Sequence, residues 1–478
     1  MPVQLHCRVY KRLADTDTPI SVYLKLRDRF AQTLLMESAD HSNPQQDYSY
    51  ICCDPMAGIR LDNGLLSLHY ADDTKETISI DRGRDSLRKY INQYMEHCQI
   101  AVPGEPPGVN GLFGYCTFES VSYTEDIGFK DTSTAISSIP ELRMDIYRYI
   151  IVFDHFRNEC CLLELYREGE ERASCAEALL QYIDHHYVPD YPFETTGTES
   201  SGLSDEEYLH MVQKGQAHCL RGDVFQLVLS RDFATGFKGD EFKVYRALRS
   251  VNPSQYLFYY DYGDYRLFGS SPEAQLRIRE GKALINPIAG TFRRTGDREA
   301  DARLEEELKV DQKENAEHTM LIDLARNDLS KHYREVEVTR YKEIRRYSHV
   351  MHMVSEVEGA MPLAGTTSFD IMADTFPAGT LSGAPKYRAM QLIDQYEAGH
   401  RGFYGGSIGF LGFDGSVNQA IMIRSFMSKG NKLHYRAGAG IVAASVPENE
   451  LNEIYHKIAA LRLAIQKANQ LNYVYTHH

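Results

Sequence analysis

Two helical runs in the carboxyl-terminal half carry acidic side chains that together could hold a hard cation. The run 311–329 has Glu314 and Glu317 on one side of a helix. The run 449–468 has Glu453 beside its apolar stripe. Carboxylate oxygens suit Mg²⁺, which takes few protein ligands and completes its shell with water and substrate oxygens. A solvated acidic flank is the alternative interpretation, because the sequence does not show that these helices meet.

Three other polar side chains have both a structural and a chemical interpretation. Glu273 follows a strand-like run in Gly-Ser-Ser-Pro-Glu, where it is either a turn residue or a general acid whose pKa is raised by burial. His352 alternates with Met351 and Met353, a pattern that is also typical of a core histidine. Arg424 lies among apolar residues in a strand-like run, so it requires an anionic partner such as a carboxylate.

Two glycine-containing strings supply backbone amides that could bind an anion. Residues 376–386, Phe-Pro-Ala-Gly-Thr-Leu-Ser-Gly-Ala-Pro-Lys, bring Thr380 to the start of a helical pattern, with Pro385 expected at the first helical position. The free N–H groups of a first helical turn attract anions. Residues 436–440, Arg-Ala-Gly-Ala-Gly, offer bare amides where a carboxylate could dock. Both strings therefore favour an anion-binding site near the acidic helices.

Composition and charge narrow the class of protein. The chain has 478 residues, of which 43% are hydrophobic and 25% charged, as in an ordinary globular protein of roughly three domain equivalents. Its net charge of −15 argues against a nucleic-acid binder, which would more often be basic. The sequence predicts neither a membrane span nor a signal peptide. Its nine cysteines show no C-x-x-C spacing, so neither a zinc site nor a disulfide is expected. We therefore expect a reducing, cytoplasmic location.

Composition also divides the chain into two regions. Residues 188–203 are rich in Pro, Thr, Ser and Gly and predict a linker, after which Ser204 and Glu207 form a capping box at a helix start. The amino-terminal region, 1–187, alternates strand-like and helical runs. In 204–470, strand-like runs come in neighbouring pairs, which is typical of antiparallel sheet. The helical runs expected to cover this sheet are 301–329, 385–397 and 449–468. We therefore predict an α+β fold of layered antiparallel sheets covered by helices.

Several strings of the chain resemble the large, chorismate-using subunits of anthranilate synthase. They are GDVFQLVLSR (222–231), NPSQYLFYY (252–260), GSSPE (269–273), NPIAGT (286–291), AEHTMLIDLARNDL (316–329), YSHVMHMVSEVEG (347–359), FPAGTLSGAPKYRAMQLID (376–394), RGFYGGSIGF (401–410) and RAGAGIVAAS (436–445). The resemblance covers nearly the whole chain and is strongest from Gly222 to Leu463. It implies the fold of the chorismate-utilising enzymes. The final pair, His477-His478, is compatible with the remnant of a tag.

The resemblance implies a role for each matching residue. Glu317 and Glu453 match the two ligands of a Mg²⁺ cofactor, which chelates the ring carboxylate of chorismate. Glu273 matches the acid that helps the ring hydroxyl leave, and His352 matches a group tied to the later loss of pyruvate. The catalytic matches are Glu273, His352, Thr380 and Gln226. The substrate-binding matches are Tyr404, Arg424, Gly438, Ala439, Gly440, Gly290 and Thr291.

The implied reaction adds ammonia to one ring carbon of chorismate, with loss of the neighbouring hydroxyl, and then eliminates pyruvate to give anthranilate. Isochorismate and salicylate synthases carry a lysine where Gln226 stands, because their water nucleophile needs a base, whereas ammonia has a free lone pair. Many aminodeoxychorismate synthases carry a nucleophilic lysine where Ala289 stands. The alternatives are aminodeoxychorismate synthase, from the folate branch, and a non-catalytic regulator that binds tryptophan or chorismate.

The amino-terminal region resembles a regulatory pocket for tryptophan. The string Leu34–Ser38 matches one half of that pocket and Asn252–Tyr256 the other, with Gln255 in place of a usual proline. The residues implied are Glu37, Ser38, Asn252, Pro253, Ser254 and Tyr256. A carboxylate there would bind the ammonium group of tryptophan, and feedback inhibition is expected. The string Leu34–Ser38 alone is equally typical of a buried strand that ends at a turn.

The source of ammonia is expected to be a second protein. The sequence contains no Gly-x-Cys-x-Gly-x-Gln string that could serve as a glutaminase nucleophile. The resemblance therefore implies a separate glutamine amidotransferase subunit that delivers ammonia through a channel, and hence a hetero-oligomer. Free ammonium should also support turnover.

Overall fold

The computed structural model describes residues 3–38, 47–82, 86–101, 110–130, 138–170, 174–184, 187–346 and 350–470. The pair His477-His478 lies outside these residues. None of the helices in the described ranges is long and apolar enough to cross a membrane. Helices cover layered sheets that are almost entirely antiparallel, so the predicted α+β fold class is confirmed.

The amino-terminal region is built mainly from strands. Its strands are β1 (Val3–Leu13), β2 (Leu34–Ser38), β3 (Tyr48–Asp62), β4 (Leu65–His69), β5 (Lys75–Ser79), β6 (Cys98–Ala101), β7 (Gly111–Cys116), β8 (Leu142–Asp154) and β9 (Glu159–Arg167). Its α-helices are α1 (Pro19–Leu26), α2 (Ser86–His97) and α3 (Ala176–Asp184), and a 3-10 helix spans Phe118–Tyr123.

The carboxyl-terminal region contains longer helices between its strands. Its strands are β10 (Phe193–Ser201), β11 (Gln226–Gly239), β12 (Tyr256–Asp261), β13 (Tyr265–Ser271), β14 (Ala274–Arg279), β15 (Lys282–Ile285), β16 (Ile288–Arg293), β17 (Tyr333–Arg346), β18 (Val350–Pro362), β19 (Gly383–Ala384), β20 (Ser407–Gly412), β21 (Val417–Ile421), β22 (Ser425–Lys429) and β23 (Lys432–Ile441). Its helices are α4 (Asp205–Arg221), α5 (Phe242–Val251), α6 (Arg298–Val310), α7 (Gln312–Ser330), α8 (Ser368–Thr375), α9 (Gly379–Ser382), α10 (Lys386–Tyr396) and α11 (Pro447–Gln470).

Two arms of one continuous hydrogen-bonded sheet, here called the first and the second sheet, extend from the long pair β3 and β8. The first sheet continues from β3 through β2, β12, β13, β22, β23 and β11 to β10. The second sheet continues from β8 through β7, β20, β21, β14 and β15 to β18, which also pairs with β16 and β17. These pairings are antiparallel, whereas β1 and β6 pair in parallel. Two large groups of buried apolar side chains pack against the sheets.

The chain passes between the two sheets at two adjacent points. It leaves the first sheet after β13, at Glu273, and returns to it after β21, at Arg424. The two crossings are hydrogen-bonded, because Ile421 N donates to Glu273 O at 3.0 Å and Ser270 N donates to Arg424 O at 3.1 Å. Arg424 has a left-handed φ of 49°, so its predicted place within a strand is wrong. The apolar residues before it suggested a strand that in fact ends at Ile421.

The helices that hold the site follow local sequence signals. Ser204 and Glu207 form the predicted capping box of α4. The predicted helix 301–329 is in fact two helices, because the side chain of Asp311 accepts a hydrogen bond from Glu314 N at 2.9 Å and thereby starts α7 anew. Pro385 is the N-cap of α10, one position before the predicted one. The buried face of α11 packs on β23, α4 and α5.

The predicted linker at 188–203 contains a strand. Residues Phe193–Ser201 form β10 and pair with β11 at the end of the first sheet. Most of its side chains are exposed and polar, which is typical of a linker. Its backbone is nevertheless paired with β11. Strands β2 and β7 of the amino-terminal region pair with β12 and β20 of the carboxyl-terminal region. The domain boundaries at 187 and 204 stay a prediction.

A buried ionic cluster joins the elements that carry the site. Arg401, 1% exposed, donates to Glu397 Oε1 at 2.6 Å. It also donates to the carbonyl groups of Leu381 in α9 and Val228 in β11, at 2.6 and 2.8 Å. Arg436 in β23 donates to Glu397 Oε2 at 3.0 Å. Burial alone would raise the pKa of Glu397, but the two arginines hold it below its ordinary value.

Candidate active site

The floor of the site is the strand pair β11 and β23. In its register, Val228 faces Gly440 and Ser230 faces Gly438, while Ala439 between them is fully buried. A Cβ atom on Gly440 would lie 2.5 Å from Gln226 Nε2, and one on Gly438 would lie 2.8 Å from Tyr404 Oη. Glycine therefore lets the two polar side chains lie against the strand, whereas a larger residue would displace them. This is the bare backbone that the sequence predicts at 436–440.

Gln226 and Glu317 meet beside Gly440. Gln226, 2% exposed, donates from Nε2 to Glu317 Oε1 at 2.7 Å. The same Glu317 oxygen lies 3.7 Å from the position of a Cβ atom on Gly440. Within the described part of the chain, Gln226 Oε1 has no hydrogen-bond partner although it is buried. A buried acceptor without a partner is costly, and a bound donor group would satisfy it.

Glu273 is a buried acid held by Thr380. The Thr380 hydroxyl donates to Glu273 Oε1 at 2.9 Å. Burial raises the pKa of Glu273 to about 7, although the Thr380 hydrogen bond and the charge of Lys457 act in the opposite direction. Helix α9 brings Thr380 there by packing on α7, since a Cβ atom on Gly379 would lie 2.0 Å from Leu324 Cδ2. At neutral pH, Glu273 is thus partly protonated, as a general acid requires.

A cavity of about 40 Å³ adjoins the Glu273 and Thr380 pair. Its walls include Gln275, Asp328 and Thr375. Gln275 donates to Thr375 Oγ1 at 2.9 Å, while its buried Oε1 has no partner in the residues described. The lining combines these polar groups with a larger share of apolar ones, and a space of this size can hold one or two water molecules.

Two cationic side chains, Arg424 and Lys457, lie near Tyr404 and Glu453. Burial lowers the pKa of Arg424, although nearby Tyr404 and Glu453 favour its charged form. No carboxylate of the described residues forms a direct ion pair with it. Lys457 Nζ donates to Gly438 O at 2.7 Å and pairs with Glu453 Oε1 at 2.6 Å. Arg424 therefore lies where an anionic ligand would be stabilised.

Lys457 was not predicted from the sequence. The side chain lies one helical turn after Glu453 on α11, and spacing of this kind commonly forms an ion pair on a helix. Its contact with Gly438 could not be found in the same way, because it depends on how α11 packs on β23. Lys457 joins the predicted metal ligand to the predicted substrate-binding strand.

The predicted metal ligands adjoin the same strand segment. Glu317 lies beside Gly440, and Glu453 is linked through Lys457 to Gly438. The described residues contain no group of three or more His, Cys, Asp or Glu side chains that could hold a metal. Two carboxylates fit Mg²⁺ only if water and substrate supply the remaining oxygens, which is the usual arrangement for this ion. The side chain of Glu453 is 42% exposed, so it is accessible to a cation that competes with Lys457.

His352 lies on β18, in register with Thr291 on β16 and with Arg345 on β17. Met351 and Met353 are fully buried on one face of the strand, while His352 is half-buried on the other. It is therefore not part of the methionine-lined core, which was one interpretation of the sequence. Gly290 and Thr291 lie on β16, where the described features are those of the backbone.

The predicted tryptophan pocket lies at the pairing of β2 with β12. Ser38 faces Tyr256 in this register, so the two halves predicted from sequence do meet. Glu37, 5% exposed, accepts hydrogen bonds from Tyr245 Oη at 2.6 Å and from Arg249 Nε at 3.0 Å. The carboxylate expected to bind an ammonium group therefore already has a cationic partner. This partner on α5 was not predicted from the sequence.

The other predicted residues of this pocket follow α5. Asn252 Nδ2 donates to Ser254 Oγ at 3.5 Å, and Asn252 O accepts a hydrogen bond from Ser270 Oγ. Pro253 between them is exposed. The pocket is thus adjacent to β13, the strand that ends next to Glu273.

The chain is similar to chorismate-binding enzymes over nearly its whole length. The chain matches the profile of the chorismate binding enzyme family over residues 37–462. It is 37% identical to anthranilate synthase component 1 of Thermus thermophilus, over 96% of this chain and 98% of that protein. It is 36% identical to anthranilate synthase component 1 of Acinetobacter calcoaceticus, over 96% of this chain and 95% of that protein.

Solved structures show the same fold. Anthranilate synthase component I from Streptococcus pneumoniae superposes with a TM-score of 0.74 at 32% identity, over 87% of this chain and 92% of that chain. The menaquinone-specific isochorismate synthase of Escherichia coli has a TM-score of 0.72 at 18% identity, over 97% of this chain and 96% of that chain, and shows the fold alone. On these sequence and structural similarities, the chain belongs to the anthranilate synthase component 1 family of chorismate-binding enzymes.

Proposed function

We propose that this protein is the large subunit of an anthranilate synthase, which converts chorismate and ammonia to anthranilate and pyruvate. The observation that carries the proposal is Glu273, a buried acid with a pKa of about 7, held by Thr380 at the junction of the two sheets. Membership of the family supplies the substrate class, since the matching profile describes chorismate-binding enzymes. The reaction is the first committed step of tryptophan biosynthesis.

Chorismate carries two carboxylates, and separate groups of the site are proposed to bind them. Arg424 lies among buried surroundings that disfavour an unpaired cation, so an incoming carboxylate stabilises it. The Tyr404 hydroxyl lies against Gly438 on β23, 2.8 Å from the position of a Cβ atom. The amides around Gly438 and Gly440, with those of Gly290 and Thr291, are proposed to complete the binding of the substrate.

Gln226 is proposed to position the nucleophile. Its Nε2 is used by Glu317, which leaves the buried Oε1 free to accept a hydrogen bond from ammonia. A neutral amide cannot remove a proton from water, but ammonia already has the lone pair it needs. The amide therefore favours amination over hydration at this ring carbon.

Glu273 is proposed to act as the general acid. Ammonia forms a bond to the ring carbon, the allylic C–O bond breaks, and the Glu273 proton leaves with the hydroxyl group as water. The hydrogen bond from Thr380 fixes the carboxyl group in place. His352 is proposed to assist the later elimination of pyruvate, which makes the ring aromatic.

Glu317 and Glu453 are proposed to hold Mg²⁺. When bound, the ion supplies positive charge to the ring carboxylate of chorismate. Glu317 accepts a hydrogen bond from Gln226, which orients its carboxylate, and Mg²⁺ would compete with Lys457 for Glu453.

A separate glutamine amidotransferase subunit is proposed to supply ammonia, so that the working enzyme is a hetero-oligomer in the cytoplasm. The relatives of this chain are named component 1, which implies a second component for those proteins. Tryptophan is proposed as a feedback inhibitor that binds between β2 and β12. The pairing of Ser38 with Tyr256 supports this location.

The function is tested with purified chain, chorismate, Mg²⁺ and an ammonium salt. We expect fluorescent anthranilate and pyruvate in equal amounts, and no turnover when glutamine replaces ammonium. Formation of aminodeoxychorismate without pyruvate would assign the chain to the folate branch. A chain that leaves chorismate unchanged would be a binding protein and not an enzyme.

Substitution of the proposed acid should change both rate and pH dependence. Glu273→Gln should lower kcat by about 100-fold or more, because general acid catalysis is lost. In the unaltered enzyme, kcat/KM should fall as the pH rises through about 7, where Glu273 loses its proton. The measurement is a pH profile at a constant concentration of free NH₃. Glu280→Gln, at an exposed turn after β14, is the matched control and should leave the profile unchanged.

The same variant has a second readout in stability. The pKa of Glu273 in the folded protein is about 7, above its ordinary value of 4.5. The free energy of unfolding therefore falls as the pH rises between these values, because the buried carboxyl group loses its proton. Replacing it with an amide should therefore raise the free energy of unfolding at pH 8 by about 3 kcal/mol. A difference that does not change with pH would contradict a raised pKa.

Substitution of the proposed metal ligand should separate binding from folding. Glu317→Gln should abolish Mg²⁺-dependent turnover, because an amide carries no charge to hold the ion. Calorimetric titration with Mg²⁺ in the presence of chorismate should show binding to the unaltered protein and not to the variant. Asp323→Asn, on an exposed face of the same helix, is the control and should bind normally. Full activity of Glu317→Gln would disprove the metal assignment.

Substitution in the proposed regulatory pocket should leave turnover intact. Ser38→Ala should weaken inhibition by tryptophan about tenfold or more, as expected for one lost hydrogen bond to a charged group. The measurement is the concentration of tryptophan that halves anthranilate formation. Ser67→Ala, on β4 away from β12, is the control and should be inhibited by tryptophan like the unaltered protein. Unchanged inhibition of Ser38→Ala would place the tryptophan site elsewhere.

A further inference from the structure

The turn 401–406, which carries Tyr404, is bound by a carboxylate from the amino-terminal region. Arg401 N donates to Glu119 Oε1 at 2.5 Å, and Gly402 N donates to Glu119 Oε2 at 3.0 Å. Phe118 N returns a hydrogen bond to Gly402 O at 2.9 Å. Both oxygens of one side chain thus bind successive amides at the start of this turn.

These hydrogen bonds are buried. Glu119 is 7% exposed and Arg401 1% exposed. Burial raises the pKa of Glu119, while His400, the Arg401 amide and Arg436 favour its charged form. Hydrogen bonds from amides to a carboxylate are stronger than those between neutral groups, and water cannot replace them at a buried position.

The same turn fixes the position of the Tyr404 hydroxyl. Tyr404 N donates to Arg401 O at 3.2 Å. The backbone of Tyr404 is therefore hydrogen-bonded to the residue whose amide binds Glu119. The ring of Tyr404 is 3% exposed, and its hydroxyl lies over Gly438. The neighbouring Gly405 packs closely on the Phe118 ring, at 3.3 Å from the position of a Cβ atom.

We infer that Glu119 is a positioning residue for the substrate-binding turn, so that the amino-terminal region completes the site for chorismate. The inference rests on the proposed function, because it takes Tyr404 as a substrate-binding group. Glu119 lies behind the turn and acts through the backbone of Arg401 and Gly402. Its effect should therefore fall on substrate binding more than on the chemical step.

The test is the isosteric variant Glu119→Gln in the full-length chain. A glutamine oxygen can accept one of the two amide hydrogen bonds, but its NH₂ group faces the other amide N–H without an acceptor. We expect the KM for chorismate to rise about tenfold, as for one lost charge-assisted hydrogen bond, with kcat changed by less than about threefold. KM and kcat are measured with ammonium as the nitrogen source.

Glu164→Gln is the matched control. Glu164 is also a buried carboxylate of the amino-terminal region, 2% exposed, and accepts a hydrogen bond from Ser174 at 2.8 Å. Both variants should lose stability in chemical denaturation, but only Glu119→Gln should raise the KM. An equal rise of KM in both variants, or an unchanged KM in Glu119→Gln, would overturn the inference. Glu119→Asp keeps the charge and provides a second variant if Glu119→Gln does not fold.

The two proposals fail in different ways. If the unaltered chain does not aminate chorismate, the proposed function fails. Glu119→Gln and Glu164→Gln can then still be compared by the dissociation constant of chorismate, measured by calorimetry. A weaker affinity in Glu119→Gln alone would then support the positioning role. If the unaltered chain is active and the two variants bind chorismate equally well, the positioning role fails and the proposed function stands.

Discussion

A guanidinium group keeps its charge even when buried, and the fold around Arg401 is built to satisfy that charge. Its side chain is 1% exposed and bridges Glu397, Leu381 and Val228, which lie on or beside three different elements. A buried ion without these partners would be strongly destabilising. The cluster therefore holds α9, β11 and the end of α10 in one arrangement. Thr380 and Gln226 lie on two of these elements, so the buried charge helps to fix the positions of these two residues relative to each other.

The second constraint is the passage of the chain between two sheets. Glu273 and Arg424 lie at the crossings and not within strands, and backbone hydrogen bonds link the two crossings. Glu273 is buried and its pKa is raised, whereas Arg424 is half-buried and its pKa is lowered. The fold places them there before any substrate is bound.

Local sequence signals predicted much of the fold, and tertiary packing decided the rest. The capping box at Ser204 depends on residues within one helical turn, and it was predicted correctly. The β10 strand was missed because its exposed polar side chains resemble a linker. Gln226 and Glu317 were each identified from motifs, but their hydrogen bond joins residues that are 91 positions apart. The partner of Glu37 was missed for the same reason, since Arg249 reaches it from α5.

A short set of hydrogen bonds links the predicted tryptophan pocket to the catalytic site. Asn252 O accepts a hydrogen bond from Ser270 Oγ, and Ser270 N donates to Arg424 O at 3.1 Å. One serine therefore joins the pocket to a proposed substrate-binding residue. Proximity alone does not couple two sites, because a ligand shifts an equilibrium only by its difference in affinity for two states. Inhibition through this route requires that tryptophan and chorismate favour different arrangements of β13 at Ser270.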